Sequence, residues 1–277
     1  MRHLAEANKR MEFRVAMPTD DLKCQFVLPL ILVVNLDRDT ARMETVARSL
    51  SGLGLAFERV PAVLGKELAD PGSYVDTKGY PCHNHADSPR PGEIGCYLSH
   101  IKAMRRLLET DSPCALILED DVELMPGAKE CLEALAVRDD WDMVKLFCFH
   151  GGTPVRVAEV APGRHLCVHL TRTTSTAAYM VNRRAAERLV ATLLPMREQI
   201  DHAHDRPWET GLRIRGLRPM VARLAETALI TTIEAAPAAS ATAKVGGKKR
   251  SFRLLARRTL KEVRRFLWGA GEALRSR

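Results

Sequence analysis

The first sustained apolar segment is Pro29–Leu36, PLILVVNL, a Leu and β-branched run without polar alternation. Such a run predicts a strand buried on both faces. Asp39 or Thr40 is placed to cap a helix through about Leu50, with Glu44 and Arg48 as an exposed pair, and Gly52 and Gly54 end it. Leu55–Ala62 reads as a second strand. A strand–helix–strand opening predicts an α/β fold with a parallel sheet. Residues 65–92 are rich in Gly, Pro, Asp and His and read as a long loop, a length usually kept for function or mobility.

A helix is predicted from about Pro91 to Glu109, then a buried strand, Cys114–Leu118, that runs directly into Glu119-Asp120-Asp121. Further along come a short helix at 128–137 and a strand at Asp142–Phe149. Strands at Leu166–Leu170 and Thr176–Val181 flank a Thr-rich turn, and Asn182 caps a helix over 183–194. Segment 195–216 mixes acids, histidines and Trp208. Residues 1–27 have no clear pattern and form a lead-in ahead of a main domain at 28–233. Residues 234–250 are low in complexity and read as a flexible linker to a basic amphipathic helix at 251–277.

Composition narrows the class. With 277 residues, 46% apolar and 27% charged, the chain suits one large globular domain with appendages. The net charge of +8 is uneven. Residues 244–277 hold twelve Lys/Arg and two Glu, which leaves 30 basic and 32 acidic residues in the rest. The high pI therefore describes a tail, and the near-neutral body argues against a nucleic-acid partner. Aromatics at 5% also argue against stacking platforms for single strands. Seven cysteines, an odd number partly set in apolar runs, fit buried thiols in a reducing compartment. No secretory signal is visible, and the longest apolar run, Phe26–Val34, is too short to span a bilayer.

Three adjacent carboxylates repel one another by roughly 4 kcal/mol per close pair at an effective dielectric near 20. Glu119, Asp120 and Asp121 follow an apolar strand, so they sit at the sheet edge where α/β proteins bind ligands. A divalent cation would relieve the repulsion and could neutralise a departing diphosphate. The competing reading is a solvated acidic turn before the helix at 128. The cluster Cys82-His83-Asn84-His85 lacks the spacing of a zinc site and reads as loop.

Several blocks together resemble glycosyltransferase family 25: VVNLDRDTARM at 33–43, FERVPAVLG at 57–65, GEIGCYLSHIKAM at 92–104, LILEDDVEL at 116–124 and TAAYMVNRRAAERL at 176–189. DHAHDRPWETGL at 201–212 is a looser match. The resemblance implies a GT-A-like fold with a mainly parallel sheet, a UDP-sugar donor of galactose or glucose type, and Mn²⁺ or Mg²⁺. It places Asp121 as direct metal ligand, with Glu119 and Asp120 near the ribose and the metal's waters. Asn35, Arg38, Arg42, Ser99 and His100 become candidates for donor binding; a solvated charge for Arg42 and a structural hydrogen bond for His100 stay open.

Inverting transfer needs one general base near the acceptor hydroxyl. Asp201 is preferred, with Asp205 and Glu209 as the other candidates, and His204 or His202 could complete a metal shell. In the tail, Phe252, Leu255, Ala256, Leu260, Val263, Phe266, Leu267 and Ala270 share one helical face, opposite Arg253, Arg257, Arg258, Lys261, Arg264 and Arg265. That pattern predicts an interfacial helix on an anionic membrane; the rival is a helix docked on the body or on a second subunit. The expected protein is cytoplasmic, peripheral on the inner membrane, and acts on a lipid-linked or surface glycan such as lipopolysaccharide. Two alternatives remain from the sequence: a catalytically silent fold serving as a binding module, and a metal-dependent nucleotidyltransferase.

Overall fold

In the first strand, β1 (Leu30–Asn35), alternate side chains go to opposite faces, and both faces are covered. Ile31 and Val33 join one core layer, and Leu32 and Val34 join the other. This double burial is why the segment reads as an unbroken apolar run. A computed structural model of the chain describes residues 28–84, 86–225 and 248–276. The 1–27 lead-in, His85 and most of the 234–250 linker lie outside these residues.

Helix α1 (Thr40–Gly52) returns the chain to β2 (Glu58–Pro61). The loop that follows carries short 3-10 turns at Gly65–Glu67 and Pro71–Tyr74 and a one-turn helix, α2 (Tyr80–His83). Then come α3 (Pro91–Leu108), β3 (Cys114–Glu119), β4 (Val122–Leu124), α4 (Ala128–Ala136) and β5 (Met143–Lys145). A hairpin, β6 (Pro154–Ala161) and β7 (Arg164–His169), precedes β8 (Ala178–Asn182) and α5 (Arg183–Thr192). Short helices α6 (Ile200–His204) and α7 (Pro207–Thr210), then β9 (Ile214–Arg218) and β10 (Ala222–Leu224), complete the body. The final helix is α8 (Lys248–Arg275).

The eight-stranded sheet has the order β2-β1-β3-β8-β5-β9-β7-β6, and β4 pairs with β10 in a separate ribbon. β1 is parallel to both β2 and β3. β8 runs against both its neighbours, and β7 runs against β9 and β6. Since β5 and β9 are parallel, six of the eight strands point the same way. The α/β architecture, the mainly parallel sheet and the C-terminal helix are as expected. α1 and α4 contribute Val46, Leu50, Leu132 and Leu135 to one layer. α3 and α5 contribute Ile101, Met104 and Leu189 to the other.

Several details differ from the sequence reading. Asp39 precedes α1 but gives it no side-chain cap, and Arg48 bonds to the Glu44 carbonyl oxygen at 3.4 Å, not to its carboxylate. Asn182 does cap α5, accepting from Ala185 N at 2.9 Å. Strand β6 was not anticipated: its alternate residues are half-exposed, so PVRVAEVA carries little apolar contrast. α8 begins at Lys248, inside the segment expected to be linker. Among the described residues, no helix is long and apolar enough to cross a membrane, and Cys96, Cys114, Cys131, Cys148 and Cys167 are free thiols.

Candidate active site

Parallel pairing of β1 with β3 sets Val34 beside Glu119, so Asn35 and Asp120 emerge together from the strand ends. Asn35 Nδ2 donates to Asp120 Oδ2 at 2.7 Å and to the Asp39 carbonyl at 3.0 Å. Its Oδ1 accepts from Arg59 Nε at 2.9 Å. Arg42, on the first turn of α1, reaches back over the same edge and donates to Asp120 Oδ1 at 2.8 Å and Asp121 Oδ2 at 3.1 Å. Asp121 is fixed from behind, because Ala225 N donates to its carbonyl at 2.7 Å just beyond β10.

The wall opposite is α3. Glu93 starts this helix by accepting from Arg90 N at 2.8 Å. Gly65 and Gly95 touch where the loop after β2 crosses it. A Cβ on Gly65 would lie 1.7 Å from the Pro91 carbonyl oxygen, and one on Gly95 would lie 2.5 Å from that of Val63. Ser99 locks the crossing: its Oγ donates to Gly95 O at 2.7 Å and accepts from Val63 N at 2.8 Å. The resulting cleft has a volume of about 260 Å³, and Asn35, Arg38, Arg42, His100, Glu119 and Asp120 are among its lining residues.

At the cleft floor, Glu119 Oε1 accepts from Thr176 Oγ1 at 2.9 Å and lies 3.3 Å from His100 Nε2. His100 is itself buried, with Nδ1 3.1 Å from the Tyr179 hydroxyl. Burial works to raise the Glu119 pKa, but the bonds from His100 and Thr176 outweigh it, and the carboxyl ends below its ordinary value. Asp120 is raised, chiefly by burial, against the opposing effects of Asn35 and Arg42. Asp121 is pushed up to about 6, by burial first and then by the Glu119 charge.

Asp121 Oδ1 is buried and has no hydrogen-bond partner. A hard cation would supply that partner and offset both causes of the raised pKa. The residues present therefore fit a divalent ion, to which Asp121 and Glu119 would offer oxygen atoms. The expected third ligand is elsewhere. The His204 ring packs on Tyr179 at 5.3 Å and on His100 at 6.5 Å between centroids. Burial, then the neighbouring His100 and Lys145, hold it neutral with a pKa well below the usual range. Among the described residues, the donor atoms that converge within 4.8 Å belong to Cys96, His100 and Glu119. The expected set of Asp121, Glu119 and His204 is not assembled, because Arg42 draws Asp121 toward α1 while His204 belongs to the aromatic layer beneath.

The three base candidates separate. Asp201, on α6, accepts from His202 N at 2.8 Å, and its charge reaches Cys96, whose thiol pKa is raised first by burial and then by Glu119, Asp201 and Asp121. Asp205 is buried away from the cleft: it accepts from Thr173 Oγ1 at 3.1 Å and pairs with Arg265 of α8 at 3.0 Å. Glu209 pairs with Arg206 at 3.1 Å and lines a shallow groove against α8 with Trp208. Arg38 is exposed, 3.8 Å from Asp39.

Four residues of this site were missed as functional: Arg59, Cys96, Thr176 and Tyr179. All four lie inside the motif blocks, but nothing in their spacing ties them to the acids. The Thr-rich turn is more than a connector. Thr173 to Thr176 are buried, and Thr174 and Ser175 hold positive φ of 20° and 118°. Strain of that kind persists only where the surroundings impose it, and here Thr173 grips Asp205 while Thr176 grips Glu119.

Fold and cleft together define an α/β domain whose strand ends present a carboxylate cluster with an unsatisfied buried oxygen. The chain belongs to glycosyltransferase family 25: the sequence profile described as "Glycosyltransferase family 25 (LPS biosynthesis protein)" matches residues 29–204. A Glycosyltransferase 25 family member of Anopheles gambiae is 35% identical over 118 residues, 41% of this chain and 19% of that protein. Procollagen galactosyltransferase 1-B of Xenopus laevis is 27% identical over 193 residues, 64% of this chain and 31% of that protein. The chain thus spans less than a third of the length of either relative. A crystal structure of a glycosyltransferase involved in the glycosylation of the major capsid of PBCV-1 aligns with 69% of this chain and 81% of its own, at 10% identity and a TM-score of 0.37. That likeness is too loose to add to the fold described above.

Proposed function

We propose that this protein transfers a hexose, of galactose or glucose type, from a UDP-sugar to a lipid-linked or surface glycan, with inversion and with Mn²⁺ or Mg²⁺. The observation that carries the reading is Asp121 Oδ1, buried and unpartnered beside Glu119 and Asp120 at the end of β3. A bound divalent ion would offset negative charge on the departing nucleoside diphosphate. Arg42 and Arg38 line the same cleft and would face the donor's phosphates. Asn35, fixed by Arg59 and Asp120, would fix the nucleoside end. Asp201 is the base in this proposal, since Asp205 and Glu209 are committed to Arg265 and Arg206.

The galactosyl donor is suggested by the name of the Xenopus relative, and a lipopolysaccharide acceptor by the family's description. A lipid-linked acceptor would place the enzyme on the cytoplasmic face of an inner membrane. The test is thermal melting with UDP. In Mn²⁺, UDP at about 100 times its Kd should add about 2.7 kcal/mol, a rise of about 5–10 °C. Equal protection in chelator would overturn the metal-bridged site. Incubation with a panel of nucleotide sugars then names the donor; release of pyrophosphate in place of UDP would identify a nucleotidyltransferase.

A further inference from the structure

The C-terminal helix was expected to lie at a membrane interface, or else to dock on the body or on a second subunit. It docks on the body, and it does so through its charged face. Lys261 Nζ donates to Glu198 at 2.8 Å, Arg265 pairs with Asp205 at 3.0 Å, and Arg215 donates to Glu272 at 2.8 Å. Arg265 also lies over the Trp208 ring at 5.4 Å. Near the end of the helix, the approach to β7 is so close that a Cβ on Gly269 would lie 2.9 Å from the His169 carbonyl oxygen. Positions 261, 265, 268, 269, 272 and 273 therefore face inward or lie partly covered.

The apolar face is left in solvent. Leu255 is 61% exposed, Leu260 49%, Val263 47%, Phe266 50%, Leu267 65% and Leu274 72%. At 100° per residue these six fall within an arc of about 140° on one side of the helix. A run of large apolar side chains with this exposure marks a binding surface on a folded protein. Arg264, also exposed, sits at the edge of the arc, and the segment from 244 to 277 carries twelve basic and two acidic residues. Glu262, also exposed, lies beyond the opposite edge. An apolar stripe with one cationic edge is complementary to a bilayer with anionic headgroups: the stripe enters the acyl boundary and the basic edge meets the lipid charge.

We propose that α8 is a two-faced clamp, gripping the body through its charged face while its exposed stripe, Leu255 to Leu274, docks the protein on an anionic lipid surface. The proposal rests on the transferase reading only for its purpose, which is to bring the cleft to an acceptor held in the same plane. The surface itself stands on the exposure and charge of the helix.

The experiment uses the full chain and extruded vesicles, either pure phosphatidylcholine or an equal mixture with phosphatidylglycerol. The wild-type protein should co-sediment with the mixed vesicles, weakly with the neutral ones, and less well at high salt. Val263→Glu/Leu267→Glu should lose at least about a hundredfold in partitioning, while its melting temperature, and the rise in melting temperature given by UDP with Mn²⁺, stay at wild-type values. Wild-type protein that ignores the anionic vesicles, or a double variant that binds them equally well, overturns the proposal. So does a wild-type dimer by light scattering that the double variant splits, with no vesicle binding; the stripe would then receive a second copy. Wild-type protein that UDP protects from melting in Mn²⁺ but that ignores the vesicles fails this proposal alone, and protein that binds the vesicles without that protection fails the transferase reading alone.

Discussion

At the end of β3, three carboxylates stand in sequence, and the ion pairs of Asp120 and Asp121 both go to Arg42. Beneath α8 the charges are matched. Glu198 meets Arg206 and Lys261, Asp205 meets Arg265 and lies 3.9 Å from Lys145, and Glu272 meets Arg215 and Arg275. Both regions bury ionised groups, which is costly in either place. In the seam, each acid has two cations beside it, so the groups hold one arrangement and fasten a helix. At the end of β3, the acids outnumber the paired cation and Asp121 Oδ1 has no partner, which leaves an acceptor for a ligand's charge; the unpartnered atoms of the seam, such as Arg265 Nε and Arg215 Nη1, lie mostly on cations already paired through another nitrogen.

The largest expected effect lies in the cleft. On the proposed transfer, Asp121→Ala should lower UDP release in Mn²⁺ by at least about a thousandfold, because the ion that would offset charge on the departing diphosphate loses a ligand. The check is a UDP-release assay beside Arg265→Ala, which should keep most of the activity. If the seam variant lost as much as the cleft variant, the two regions would not be functionally separate.

Arg265→Ala should instead act on stability. It leaves Asp205 buried with Lys145 alone and strips the cation from Trp208, a loss of about 3 kcal/mol. Melting should fall by about 6–10 °C. Adding Asp205→Asn and Lys145→Met to Arg265→Met should recover part of that loss, since no uncompensated charge then remains in the group.

Asp121→Asn sharpens the contrast through pH. In the folded chain without metal, the Asp121 pKa stands at about 6, above its unfolded value. Between the unfolded value, near 3.9, and about 6 the folded state binds more protons. Stability is therefore lost as pH rises through that window. At pH 7 in chelator, Asp121→Asn should be more stable than wild type by about 2 kcal/mol; Mn²⁺ should stabilise the wild type and leave the variant unmoved. Denaturant melts at pH 4 and pH 7 decide it, and a flat difference between the two proteins would remove the claim that Asp121 is strained toward a cation.

The smallest effect concerns the turn between the two regions. Ser175 holds φ of 118°, a conformation that costs glycine little. Ser175→Gly should raise stability by about 1 kcal/mol or less, offset in part by loss of the bond that Ser175 Oγ accepts from Ala177 N at 3.1 Å. Substitution by alanine should not stabilise, and a gain equal to that of glycine would argue against strain at this position.

Much of the fold was legible because β1, β3 and α5 follow local rules. Two-sided burial writes an apolar run into β1 and β3, and Asn182 caps α5 with its own side chain. The acidic triplet was also legible, since a strand that ends in three acids puts them at the sheet edge whatever its neighbours are. Their partners were not. Arg42 and Asn35 were named from motif blocks, but that Arg42 spans Asp120 and Asp121 depends on where α1 packs. Thr176 and Tyr179 come to Glu119 and His100 because β8 is inserted antiparallel beside β3, a pairing with no local signal.

The sequence by itself determined the order of elements, the carboxylate cluster and the two-sided character of the last helix, because each is set by residues a few positions apart. Only the tertiary structure decided which acids keep a free oxygen and which are neutralised, and which face of that helix turns inward. Those outcomes depend on charges brought together from opposite ends of the chain, and their energies depend on a burial that no single segment creates.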